Sequence, residues 1–589
     1  MSCNFSYSYL LVFILTTMNS MTAQEGIVIK ISESDSIHCS ANKQPGGYFV
    51  CPTLDQLNSF MTNISKPIAT IEIHIASTTC TLRELITFEN INNLFIHGED
   101  VTTTIHCQSV GHGYEHSSGF AFKHSSDLHL SNLTILDCGG IHESTSKNVS
   151  SPNSETFLHF KSALYFENCT NVTISQIAVK NTPGIGLVFY NSRGMIRIHF
   201  SYFGNNSIPN SLEDGFPGGG GVYIEFTPCI PGSNSGKSIC FTDSEYNRGG
   251  HYAIQRCKFT LNRAYSARSY FKRSGFRTFG QGGGLLISLR GNASKNTFTI
   301  KNCLFTNNSA LWGGGLHLYV ANLSKENNIT VSETRLEDNL AKDGGGGVAV
   351  YISSPYNRRA SSLSKNIIVF EKCNISINSA NQGGGMIIFF SIAHAKQRKS
   401  NKLHFLNTVW DGNTAISGAA VDITAKDVSH TVHGPFPTFV DCKFFSNRVH
   451  SVIKPLNGGL ALQSDYGKAA FLVTLAKVFF SNSVIFYGNN ATALHVSGGV
   501  ISFNSGIITN FEENYGIKGG AIALIASSYL EVRQNSSFNF ISNHAYVMGG
   551  AIYSYSVGEH ELHDHILSLG CFIQYPDDYN HSNSLHALT

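Results

Sequence analysis

Apolar and polar positions alternate along Phe298-Thr299-Ile300-Lys301, and the alternation resumes at Cys303-Leu304-Phe305-Thr306. Alternation with a period of two, bounded by Asn and Gly, predicts short strands with one buried face. Each such segment ends in a large apolar residue, two variable residues and Asn. A run of glycines begins about five residues after the Asn, and a short apolar strand follows it. Phe305 to Asn308 leads to Gly313-Gly314-Gly315 and then to Leu316-His317-Leu318-Tyr319-Val320. No long stretch carries helical periodicity with capping residues.

The same pattern recurs down the chain. The repeat asparagines are Asn262, Asn308, Asn339, Asn378, Asn413, Asn447, Asn489, Asn514 and Asn543, with Asn206 as an earlier copy. From Asn308 to Asn543 the steps are 31, 39, 35, 34, 42, 25 and 29 residues. An enclosed turn of a solenoid must keep its length, so the variation falls in outer loops such as Ser353 to Lys365 and Ala393 to Lys402. A repeat that cannot bury its own apolar face is stabilised by its neighbours. The expectation is an all-β fold: a right-handed parallel β-helix, a pectin-lyase-like solenoid of roughly a dozen coils. At ~4.8 Å per coil it would be a rod on the order of 60 Å long.

The glycines expected to be structural are Gly283, Gly314, Gly345, Gly384, Gly519 and Gly549. Each would allow a sharp turn beside packed neighbours, with positive φ where needed. The repeat Asn would bond its own backbone and the Asn of the next coil. Five residues before the repeat Asn stand Cys257, Cys303, Cys373 and Cys442, with Thr334 and Thr408 in the coils between. That column reads as buried thiols or, for the consecutive pair Cys257 and Cys303, as a disulfide.

The expected organisation is a signal peptide over 1–23, a leader and N-terminal cap over 24–67, and early coils over 68–217. Regular Gly-rich coils follow over 218–557, and a polar tail over 558–589. The signal reading rests on the apolar run Tyr9 to Leu15 followed by Ser20 and Ala23, although no Lys or Arg precedes it. No later stretch is long and apolar enough for a membrane-spanning helix, and the abrupt polar end is consistent with a fragment of a longer protein. Export would permit disulfides among the 14 cysteines, with Cys39–Cys51 and Cys229–Cys240 as local candidates. Sequons are abundant; Asn322 and Asn328, in a polar outer loop, are the expected glycosylation sites, whereas Asn307 inside the repeat turn is expected to be hindered.

The apolar-x-x-Asn signature followed by Gly-Gly-Ala-Ile, at Phe511 to Ile522 and Phe540 to Ile552, resembles the repeats of chlamydial polymorphic outer membrane proteins. The leader, with Tyr48-Phe49-Val50-Cys51-Pro52-Thr53-Leu54, then Ile96-His97-Gly98 and Ile105-His106-Cys107, resembles secreted animal β-helix proteins abundant in sponges. These resemblances imply a parallel β-helix. The bacterial family also implies surface display and adhesion through an outer-membrane barrel, which is not expected within this sequence.

Net charge is +2 and charged residues make up 14% of the chain. No basic stripe appears, so a nucleic-acid partner is not expected. Polygalacturonases resemble this fold, but their ordered motifs are missing: Gly111-His112-Gly113 comes early, Asn181-Thr182-Pro183 lacks the Asp, Arg197-Ile198-His199 lacks the Lys, and Asp577-Asp578 lies in the tail. No catalytic carboxylate pair is legible and no cofactor motif is present. His560, His563 and His565 form the densest ligand-like group and are weak metal candidates. The basic loop Arg268, Lys272, Arg273 and Arg277 reads as solvated or as an anionic-glycan contact. The expectation is a secreted or cell-surface scaffold that binds an extracellular protein or glycan without catalysis. A carbohydrate-active enzyme, or its inactive remnant, is the alternative.

Overall fold

A computed structural model describes residues 27–31, 48–57 except 52, 70–108 except 77 and 101, 119–139, 162–208, 218–226, 249–264, 280–321 except 291–292, 324–353, 365–391, 401–426, 436–450 and 468–555 except 527. The chain winds as a right-handed parallel β-helix. Fourteen strands, from Leu85–Glu89 to Ile552–Tyr555, stack in chain order into one sheet. A larger sheet of 26 strands forms the other side, and short strands such as Ser309–Trp312 close the third. At ~4.8 Å per strand, thirteen spacings give a rod of ~62 Å.

Registers are constant from coil to coil. Phe298 faces Ile329, Ile329 faces Ile368, and Ile368 faces Leu403. Inward residues therefore stack on their counterparts. Phe259 lies on Phe305 with ring centroids 4.4 Å apart, and Phe444, Phe486, Phe511 and Phe540 continue a stack at 4.7, 5.0 and 5.2 Å. Each aromatic pair adds about 0.5–1.5 kcal/mol beyond the burial of its area. The strands Ile27–Ile31 and Tyr48–Cys51, within the expected leader, also join this stack: Ile29 faces both Phe49 and Ile73.

The repeat asparagines lie in one buried file. Asn308 Nδ2 donates to Asn339 Oδ1 at 3.0 Å and to the carbonyl of Phe259 in the preceding coil at 2.9 Å. Its Oδ1 accepts from Asn262 Nδ2 at 2.9 Å and from the Asn262 backbone N–H at 3.1 Å. The amide thus uses both donors and both acceptor sites. The same bonds link Asn206 to Asn262 at one end and Asn514 to Asn543 at the other. A second file runs through Asn296, Asn327, Asn366 and Asn401, with amide bonds of 2.8, 2.9 and 3.0 Å.

The glycines divide into two roles. Gly345 takes φ 69°, in the left-handed region. Gly314 instead has no room for a side chain: a Cβ there would stand 2.5 Å from the Gly346 carbonyl oxygen in the next coil. At the asparagine corner the left-handed turn itself falls to the residue before the Asn, which is seldom Gly. Leu261, Asn307, Asp338 and Ile377 have φ between 54° and 58°. Asn307 is consequently exposed, not hindered.

Cysteine behaves as a small corner donor. Cys373 Sγ donates to Val331 O and Glu371 O, and Thr408 Oγ1 donates to Phe370 O and Leu406 O one coil later. Cys257 and Cys303 are free thiols in adjacent coils, so the disulfide reading does not hold for them. Contact with Cys303 and burial hold the Cys257 thiol well above its ordinary range. One disulfide joins Cys107 to Cys138, with Cα atoms 4.9 Å apart. Cys51 is also disulfide-bonded; Cys39, Cys229 and Cys240 lie outside the described residues.

Two substitutions test these accounts. Asn308→Ala strands up to four buried polar groups and is expected to cost roughly 3–5 kcal/mol in chemical denaturation, against less than about 0.5 kcal/mol for the exposed Lys342→Ala. Ile377 is β-branched, 60% exposed and left-handed at φ 56°. Ile377→Gly is expected to stabilise the fold by about 0.5–1 kcal/mol in the same measurement, and a loss would refute the strain assigned to that corner.

Candidate functional site

Strands of the fourteen-stranded sheet read as continuous apolar runs, such as Leu285-Leu286-Ile287, because both of their faces are buried. One face looks into the helix core. The other carries Tyr223, Glu225, Leu286, Ser288, His317, Tyr319, Asp422 and His495, none more than 8% exposed. Most of the described buried titratable groups outside the thiols collect on this outward face.

Glu225 is the centre of one group. Tyr223, two residues earlier on the same strand face, donates its hydroxyl to Glu225 Oε2. Arg290 follows the next strand and brings Nε within 3.8 Å of Glu225 Oε1. The same Nε donates to Ser288 Oγ at 2.9 Å, and the guanidinium lies 5.1 Å from the centre of the Tyr319 ring. Burial works against the Arg290 charge, but Glu225 and the surrounding tyrosine oxygens outweigh it and raise its pKa. Burial, reinforced by Glu225, pushes the Tyr223 phenol well above its usual range. A carboxylate, a guanidinium and a phenol thus satisfy one another.

Among the described residues the other groups take part in no ion pair. Asp422 Oδ2 accepts from Ser417 Oγ at 3.1 Å and Oδ1 from Thr424 Oγ1 at 2.9 Å. Burial raises its pKa to about 6 against these two bonds. His317 donates weakly to the Trp312 carbonyl at 3.4 Å, and burial drives it down to about 3. His495 is driven down to about 4 by burial alone. Both imidazoles are neutral near pH 7.

Separation decides what these carboxylates can do. Glu225 and Asp422 stand on strands Val222–Phe226 and Val421–Lys426, five strand spacings apart in the sheet. Five spacings of ~4.8 Å make ~24 Å. Glycosidic cleavage by paired carboxylates requires roughly 5–9.5 Å. The two do not form such a pair.

The metal candidates His560, His563 and His565 lie outside the described residues, as do His112, the Arg268 to Arg277 loop and Asn322. Asn328 opens the strand Asn328–Ser332 and is exposed. Among the described residues no helix is long and apolar enough to cross a membrane.

No family model matches this chain, and no curated protein sequence matches it. Solved structures similar to it include the catalytic domain of a GH87 alpha-1,3-glucanase in complex with nigerose, at 10% identity and a TM-score of 0.34. That alignment covers 90% of this chain and 69% of the other. A PL6 family alginate lyase aligns over 86% of this chain and 79% of its own, at 10% identity and a TM-score of 0.22. At these scores the likenesses carry no argument about activity. The expected kinship with chlamydial and sponge-type repeat proteins finds no support among these matches.

Asp422 gives a pH test. Its pKa is raised from an ordinary 3.8 to about 6, so between those values the folded chain keeps a proton that the unfolded chain releases. Stability is therefore lost as pH rises from about 4 to about 6. Asp422→Asn is expected to stabilise the protein by up to about 3 kcal/mol at pH 7.5, at 1.36 kcal/mol per pKa unit, and by little at pH 4. Denaturant midpoints at the two pH values check it; an equal effect at both would mean the carboxylate is not desolvated as described.

Proposed function

We propose that this chain is a non-catalytic β-helix scaffold, exported from the cell, that binds an extracellular glycan or protein along the outside of its rod. The observation that carries this reading is the use of its buried carboxylates. Glu225 is matched by Arg290 and Tyr223, Asp422 by Ser417 and Thr424, and the two stand ~24 Å apart. Groups so consumed serve packing better than acid–base work. Recognition then falls to exposed side chains and to loops that vary between rigidly held coils.

Several features support export and display. The apolar run Tyr9 to Leu15 suits a cleaved signal ending near Ala23. The Cys107–Cys138 bond suits an oxidising compartment. Sequon asparagines Asn171, Asn205, Asn307 and Asn328 are exposed on four different coils, where attached sugars would clear the core. Exposed aromatic rings, Tyr515 stacked on His544 at 5.1 Å among them, offer flat faces to a ligand near the C-terminal coils.

The experiment is a glycan array probed with the full secreted chain, run beside a degradation assay on polysaccharides. Saturable binding without product release is expected. Release of oligosaccharides from any polymer, abolished by Glu225→Gln, would replace this reading with a carbohydrate-active enzyme built on the Glu225–Arg290 pair.

A further inference from the structure

Near the N-terminal end, three metal-capable side chains meet on the outward face of the larger sheet. Glu72 and His74 alternate on the strand Ile71–Ile75 and so share one face. The strand Asn92–Gly98 pairs with it in parallel, with His97 directly opposite His74. His97 Nε2 lies 2.8 Å from His74 Nδ1, His74 Nε2 lies 2.9 Å from Glu72 Oε1, and His97 Nε2 lies 3.7 Å from the same Glu72 oxygen.

Those spacings match a coordination shell. A tetrahedral ion with ligand bonds of about 2.0–2.1 Å holds its ligand atoms about 3.3 Å apart, and one potential ligand atom from each of the three residues lies within 4.8 Å of the others. The side chains are 26–43% exposed, so an ion can reach them from solvent. Two imidazoles and a carboxylate suit a borderline first-row divalent cation better than Ca²⁺ or Mg²⁺, which prefer all-oxygen shells. Three protein ligands leave a coordination position for water or for a donor atom from a partner. Lys30 stands opposite His74 on the other neighbouring strand, exposed, and its charge works against the cation; the Glu72 carboxylate offsets it.

We propose that Glu72, His74 and His97 form a Zn²⁺-class divalent cation site on the outside of the N-terminal coils. It is separate from the buried groups of the fourteen-stranded sheet. It also differs from the tail histidines His560, His563 and His565, which the test must set apart.

The probe is Co²⁺, titrated into the full chain after EDTA treatment and dialysis at pH 7.5, with visible absorption as the signal and Zn²⁺ as competitor. One equivalent of Co²⁺ is expected to give d–d bands that Zn²⁺ removes. His97→Ala and Glu72→Gln should each weaken binding at least tenfold, while the triple variant His560→Ala, His563→Ala, His565→Ala should bind as the parent does. Far-UV circular dichroism confirms that each variant is folded; the three residues lie on the surface, so a fold defect is not expected. The proposal is overturned if the parent chain gives no bands, if the His97 and Glu72 variants bind like the parent, or if only the tail variant loses binding.

Discussion

A buried primary amide offers two donors and two acceptor sites, and a file of asparagines one strand spacing apart uses all of them. The repeat depends on this fit. Asn308 Nδ2 reaches the next Asn and the Phe259 carbonyl behind it, while its oxygen receives the amide and backbone N–H of Asn262. Asp would place like charges ~4.8 Å apart in low dielectric, and Ser or Thr would leave donors or acceptors without partners. Because each amide bonds to the coil before and the coil after, a slip of one residue in any coil would break two sets of bonds. The register is held there, so loops between coils can differ in length without disturbing the stack.

This constraint explains what could be read from the residues alone. The file of asparagines and the stacked apolar positions were legible because they recur. The second file was equally legible and was missed: Asn296, Asn327, Asn366 and Asn401 each precede a repeat Asn by 12 residues and share its steps of 31, 39 and 35. Their sequence context lacks the glycine run that marks the first file. Glycine also misled on conformation. The left-handed corner before the Asn tolerates Leu261 and Ile377, since a register held on both sides forces the turn whatever residue stands there. In the early coils no punctuation sets the register. Nothing in the sequence pairs Cys107 with Cys138, or lays His97 beside His74.

The candidate site was illegible for a different reason. Alternation leads one to expect that outward residues of a strand meet water. Along the middle of the fourteen-stranded sheet most of them do not, and the sign was present in unbroken apolar runs such as Leu285-Leu286-Ile287. Within such runs a lone charge is informative. Glu225 in Val222–Phe226 and Asp422 in Val421–Lys426 are polar residues in strands buried on both faces, and each must find partners or shift its pKa. Glu225 finds Arg290 and Tyr223. Asp422 finds only hydroxyls, and its pKa rises to about 6.

In a parallel β-helix, distant residues become neighbours chiefly by standing at the same height of successive coils. Chemistry on such a rod is therefore written in columns. A column that placed carboxylates on adjacent coils would bring them to ~4.8 Å, close to the ~5–5.5 Å that separates a nucleophile from its acid. Here the column through Glu225 continues as Ser288, Tyr319 and Tyr351, and the column through Asp422 runs to Leu472 and His495. Asp422 has apolar neighbours on both sides of its column, Ile387 and Leu472. The Glu225 column runs back through Tyr190 to Glu167, two spacings or ~9.6 Å away, and Glu225 itself is taken up by Arg290 and Tyr223. The column through His74 differs, since a second imidazole stands directly above it and a carboxylate lies two residues away on the same face. Packing does not demand that combination on a half-exposed surface, where Thr, Lys or Ser would serve a strand equally well. Its cost is the placement of two imidazoles in contact, which a shared cation would turn from a repulsion on protonation into a common bond.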